Sequence, residues 1–301
     1  MDKQQSTLMA LPDPELLDAI GTVEYWKSVF GEHYTALNGL LSDPNVSQRT
    51  LIDSIVKWND VFEEDSDQSN HSVNDFMSLL PALRHHALNA PIYEISDALI
   101  MQLDEVELDS LTPQDVVHAP APAMYLKFGD KGIYNSSNNS PFDVIYGAYI
   151  LEFVCIDNEY YLNHHERNVD SSTRIYGVFV VTSPNNNPEV RFRHGSSLAV
   201  MGDSDYMLSD GITKQLARID ETENALYNPD YLSQRRTAYS YVDALFLKAF
   251  SAAYKDAMSL VKIDPRRTFK SNLYRSRTGK KAKRDKFLSR KVPYVLMDVN
   301  A

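Results

Sequence analysis

The 301-residue chain holds a single cysteine, Cys155, only two tryptophans and eleven glycines, and it has no long apolar run. One cysteine excludes an internal disulfide, which sets aside the stapled scaffolds of small secreted proteins and fits a reducing compartment. The most nearly continuous apolar stretch, 146–156, is broken by Glu152 and falls well short of the ~20 residues that a membrane-spanning helix needs. Residues 1–11 are polar and lack the basic-then-apolar order of a secretory signal. Without that route, Asn135-Ser136-Ser137 and Asn138-Asn139-Ser140 read as loop residues and not as glycan acceptors. The expectation is a cytoplasmic protein that makes no membrane contact.

The common enzyme signatures are also missing. There is no phosphate-cradling Gly-Lys-Ser/Thr loop, no dinucleotide glycine fingerprint and no paired cysteine set for zinc. His165-Glu166 opens like the helix of a zinc protease, but the position four residues after His165 is Val169. No metal site and no cofactor are expected. Gly195-Ser196-Ser197-Leu198-Ala199 loosely matches a nucleophile elbow, yet its surroundings read as strand and turn, where an elbow needs a strand-to-helix turn. Cys155 stands in an apolar run and is expected to be an inert core thiol.

What the chain does have is charge asymmetry. Residues 1–118 carry 21 acidic and 5 basic residues, a net of −16, whereas residues 266–301 carry 2 acidic and 12 basic, a net of +10. The middle, 119–265, is near −5 with 18 acidic and 13 basic residues. A composition of 43% hydrophobic and 24% charged residues leaves enough apolar material for a core without staples.

The first 118 residues read as helical. Pro14-Glu15 suits a first helical turn. Leu16, Ile20, Val23, Phe30, Tyr34, Leu37 and Leu41 then recur at helical spacing. Ser47 starts a second segment with Leu51, Ile55 and Trp58, and further helices are expected over 73–88 and 92–106. The acidic stretch 63–72 reads as a loop. His118-Ala119-Pro120-Ala121-Pro122 marks a stiff boundary, after which strands are expected at 124–128, 144–156, 160–162 and 175–182. Asp157-Asn158 is the turn of a hairpin, and 190–193 and 198–201 are weaker strand candidates. The clearest helix covers 230–262, and 292–299 returns as a short strand. The predicted fold is α+β: an acidic helical domain (1–118), an α+β domain (119–265) whose mainly antiparallel sheet packs on the long helix, and a basic C-terminal tail (266–301).

Two segments concentrate polar chemistry. His164-His165-Glu166 sits in a loop between strands, where a histidine base could move a proton and Arg167 hold the phosphate, as nuclease-like chemistry needs. The plainer reading is a polar surface loop. His85-His86 are adjacent on a helix and cannot face one ion together, so a partly buried histidine is expected there. Arg191-Phe192-Arg193-His194 would alternate between strand faces. The basic segment gathers Arg266, Arg267, Lys270, Arg275, Arg277, Lys280, Lys281, Lys283, Arg284, Lys286, Arg290 and Lys291, with Phe269, Tyr274 and Phe287 interspersed. Such a segment can neutralise phosphates and stack bases, or dock on the acidic region 1–118, either of the same chain or of a second copy.

Pro120-Ala121-Pro122-Ala123-Met124-Tyr125-Leu126-Lys127-Phe128 and the closing Arg290-Lys291-Val292-Pro293-Tyr294-Val295-Leu296 resemble uncharacterised proteins of bacteriophages and integrated elements. The resemblance implies a mobile-element origin and carries over no catalytic residue. The sequence thus points to a non-enzymatic accessory protein that acts by protein–protein contact, with a homo-oligomer expected. The alternative is a nucleic-acid-binding protein or nuclease that uses the basic tail and His164, His165 and Glu166.

Overall fold

The computed structural model describes residues 14–17, 22–58, 73–116, 119–129, 132–134, 144–162, 173–183, 192–201, 207–214, 229–254, 258–263 and 292–299. Helices α1 (Pro14–Leu17), α2 (Thr22–Phe30), α3 (Tyr34–Ser42), α4 (Gln48–Lys57) and α5 (Val73–Ala87) precede strand β1 (Ile92–Ile95) and helix α6 (Asp97–Asp104). Strands β2 (Ala123–Lys127), β3 (Ile133–Tyr134), β4 (Val144–Ile156), β5 (Glu159–Leu162), β6 (Thr173–Ser183) and β7 (Phe192–Met201) follow. A helix α7 over 208–214, the long helix α8 (Pro229–Tyr254) and strands β8 (Met258–Ile263) and β9 (Tyr294–Val299) complete the order.

Thirteen-residue β4 is the spine of a nine-stranded sheet ordered β7-β6-β4-β2-β1-β9-β8. Along one edge it pairs in turn with β3, β2 and β5, and along the other with β6. Strand β1 lies parallel to both β2 and β9, and the other pairs are antiparallel, so the fold is α+β with a mixed sheet. The β4–β5 hairpin closes through Asp157 and Asn158, at φ 51° and 64°. Both residue types tolerate the left-handed region that a two-residue turn of this twist requires.

Successive side chains of a strand point to opposite faces, and here both faces are apolar. One face of Ile92, Tyr125, Tyr149, Val181 and Tyr294 joins a single cluster with Trp26, Phe30, Leu37, Leu51, Phe76 and Leu79 of the N-terminal helices. Phe76 meets Trp26 and Phe30 edge-on at 4.9 Å each, contacts worth ~0.5–1.5 kcal/mol beyond area burial. The opposite face, with Met124, Leu126, Ala148, Ile150, Tyr176, Val178, Leu198 and Met297, is covered by α6, α7 and α8. The result is three layers, helices on either side of one sheet.

The structure differs from the sequence reading at three elements. The 92–106 segment is not one helix: Ile92–Ile95 is a strand, and Ser96 then caps α6 by accepting from the Leu99 amide at 3.1 Å. The helix expected over 230–262 ends at Tyr254, and Met258–Ile263 pairs with β9 as a strand. The two weak candidates near 190–201 are one continuous strand, in which Ser197 stands opposite Gly177 in mid-ladder, not at an elbow. Ser47 does start a helix, accepting from the Thr50 amide at 3.1 Å. The acidic stretch 63–72 and the triplets at 135–140 lie outside the described residues.

Close approach of the backbone is needed at Gly147. A Cβ there would fall 2.6 Å from the Tyr125 hydroxyl oxygen and against the Leu126 carbonyl oxygen. Tyr125 in turn packs edge-on against Tyr149 at 4.8 Å. Gly147→Ala therefore displaces the aromatic pair at the centre of the sheet. A loss of about 1–3 kcal/mol in urea-denaturation stability is expected, and an unchanged midpoint would contradict this packing.

Candidate functional site

His164, His165, Glu166 and the twelve cations of 266–291 lie outside the described residues, but the strands that bracket both segments are described. The histidine loop runs from Leu162 to Thr173, and Phe153 of β4 pairs with Leu162 on one edge and with Ile175 on the other. The ends of the loop are thus held on either side of the spine strand. The basic segment lies between Ile263 and Tyr294, which are direct partners in the β8–β9 ladder. Strand β9 is itself pinned inside the sheet, since Tyr294 through Met297 pair with Ile92 through Ile95. The cationic residues therefore belong to a connection whose two ends meet.

The titratable side chains that the fold buries are internal ties. Arg84 of α5 is 1% exposed, and its Nη1 donates to Gln48 Oε1 at 3.0 Å and its Nη2 to the Val46 carbonyl at 3.4 Å. Burial lowers its pKa to about 10, with Asp43 pulling the other way, so the guanidinium stays charged at neutral pH. His85 is fully buried, its Nε2 3.2 Å from the Pro91 carbonyl oxygen and its ring edge-on to Tyr149 at 5.5 Å. The half-exposed neighbour His86 points elsewhere, as helix geometry requires.

A second group sits on the face covered by α8. Glu152 Oε2 accepts from the Ala119 amide at 2.7 Å, and Arg174 Nη2 donates to the Pro113 carbonyl at 2.8 Å. Both side chains are nearly fully buried. Tyr176, the ladder partner of Glu152, has its pKa raised first by burial and further by Glu152, with Arg174 opposing. Together Glu152 and Arg174 fasten the crossing connection 113–119 onto the sheet. On the opposite face of the sheet, Lys127 lies 4.0 Å from Glu94 Oε2 and 5.9 Å from the centre of the Tyr294 ring.

Asp243 of α8 differs from all of these. It is fully buried, and neither carboxyl oxygen has a hydrogen-bond partner among the described residues. Burial alone pushes its pKa up to about 8. Sequence reasoning missed Glu152, Arg174 and Asp243 as sites. The available signal was a lone charge inside an apolar stripe, at Glu152 in 146–156 and at Asp243 between Val242 and Leu247.

On the surface, Asp97, Asp104, Glu105, Glu107 and Asp109 are all exposed, along with Met101, and no Lys or Arg occurs between Arg84 and Lys127. Cys155, expected in the core, is exposed, because its ladder partner Tyr160 lies beside the hairpin turn at the end of the sheet. Among the described residues no group of three His, Cys, Asp or Glu side chains could hold a metal ion. Nor is any described helix long and apolar enough to cross a membrane.

No protein-family model matches the chain, and no curated protein matches it. Among solved structures, the crystal structure of AcrVA2 aligns over 93% of this chain and 84% of its own, at 10% identity and a TM-score of 0.44. A likeness at that level fixes neither a family nor an activity.

If Glu152 is a tie for the crossing connection, Glu152→Ala should cost about 1.5–3 kcal/mol, the range for a hydrogen bond to a charged group. Limited proteolysis should then cut between Leu111 and Ala123 sooner than in the wild type. Glu152→Gln, which keeps an acceptor for the Ala119 amide, should lose less than Glu152→Ala; equal losses would remove this role.

Proposed function

We propose that the chain is a non-enzymatic accessory protein of a bacteriophage or mobile element, acting by protein–protein contact through its cationic 266–291 segment. Such a protein would bind a host defence complex or assist an assembling particle. The observation that carries the reading is the ladder pair Ile263–Tyr294, which brings together the two ends of the connection whose sequence holds twelve cations. Anchoring lowers the entropy lost when such a segment docks, because its ends are already close. The exposed acids from Asp97 to Asp109 offer a complementary surface on a second copy. Exposed charges act over about a Debye length, ~8 Å at physiological salt, so this attraction needs close docking and weakens as salt rises. Phe269, Tyr274 and Phe287, interspersed among the cations, also suit base stacking, and nucleic acid is the second reading.

Ending the chain at Pro265 is a poor test, since it removes β9 from the interior of the sheet. The informative variant replaces 266–291 with a short Gly-rich turn, which the direct Ile263–Tyr294 pairing accommodates. Light scattering at low salt should show the full chain as an oligomer and the replaced chain at monomer mass. Glu105→Lys with Glu107→Lys should have the same effect. A full chain that is monomeric at low salt sinks self-association. Loss of DNA or RNA binding on replacement, with mass unchanged, would establish the second reading in its place.

A further inference from the structure

Helix α8 supplies the apolar roof of one sheet face through Val242, Leu245, Phe246, Leu247, Ala249 and Phe250, all buried. Phe246 and Phe250 pack on Tyr176 at 5.4 and 6.0 Å and on each other at 5.4 Å. Asp243 stands one turn before Phe246 on this helix, fully buried, with both oxygens lacking a partner. An ionised carboxylate there would have lost its water without gaining a cation or a donor, whereas the neutral acid costs far less to bury. We propose that docking of α8 onto the sheet is coupled to one proton on Asp243, so that the helix is a proton-linked latch.

The described neighbouring charges do not undo this. Across the α6 contact, Asp104 is already engaged, accepting from the Tyr241 hydroxyl at 3.2 Å and standing near Lys248. On β6, Arg174 is held by the Pro113 carbonyl, and Tyr176 is a neutral phenol. Arg193 and His194 of β7 and Lys262 of β8 belong to the other strands that pack against α8, and their side chains lie outside the described set. Burial is the sole cause of the Asp243 shift, with no charged partner contributing.

The sign follows from linkage. A carboxyl whose pKa rises from 3.8 to about 8 on folding is protonated in the native state across that window, while the unfolded chain is ionised there. Its contribution to stability is therefore largest at the acid end, falls as pH rises toward 8, and levels off above. The limiting slope for one proton is about tenfold in the folding equilibrium per pH unit.

The test compares the full-length wild type with Asp243→Asn, an isosteric neutral side chain, by chemical denaturation from pH 5 to 9. The ratio of the variant's folding constant to that of the wild type should widen by up to about tenfold per pH unit and become constant above pH 8. Hydrogen exchange gives a local reading. Protection factors across Val242–Phe250 should fall with rising pH in the wild type and hold in the variant. Asp243→Leu, which has no carboxyl and the same branching at Cγ, should reproduce the flat profile should the Asn variant fold poorly. A pH-independent ratio, or equal loss of protection in wild type and variants, overturns the latch.

Discussion

Strand β4 pairs with a neighbour along each edge and is buried on both faces for most of its length, and the rest of the molecule follows from that constraint. A strand with Tyr149, Leu151 and Phe153 on one side and Ala148, Ile150 and Val154 on the other cannot sit in a two-layer fold. It needs apolar cover above and below. The N-terminal helices supply one layer, and α6, α7 and α8 the other. Tyr149 of the sheet and Phe76 of the N-terminal helices belong to one apolar cluster. The N-terminal helices are thus joined to the sheet through their apolar stripe, while Asp97, Asp104, Glu105, Glu107 and Asp109 are exposed.

Such cover has to be reached by connections that cross the sheet, and the buried polar groups are where those crossings are tied down. Arg84 holds the start of α4, Glu152 and Arg174 hold 113–119, and His85 meets the carbonyl of Pro91 just before β1. Each is a charged or polar side chain spent on a backbone group that has left its own helix or strand, as buried backbone requires. Asp243, by contrast, is buried with neither carboxyl oxygen tied to any such group.

The elements that were legible before the structure are those with a strong local period or turn chemistry. The nearly continuous apolar run ahead of Asp157-Asn158 and the helical stripe of Val242, Leu245, Phe246 and Ala249 declared themselves. The histidine loop and the cationic segment could be recognised by composition, and their bracketing strands could not be matched to each other. Residues 92–106 read as a helix because Ile92, Ile95, Leu99 and Leu103 keep a helical spacing across a four-residue strand. A strand that short shows no period of its own.

Composition and pattern by themselves determined the α+β class, the absence of disulfides, the segregation of acid and base along the chain, and the Asp-Asn hairpin. These are properties of neighbours in sequence or of simple sums over it. Tertiary structure alone decided that Ile92–Ile95 is a strand, that the basic segment is closed between paired strands, and that Asp243 is buried without a partner. The physical reason is common to all three. Strand β1 exists because β2 and β9 offer hydrogen bonds on both edges, and β9 lies some two hundred residues away. Burial of Asp243 likewise depends on which sheet face the helix meets, a fact carried by no residue near it in the chain.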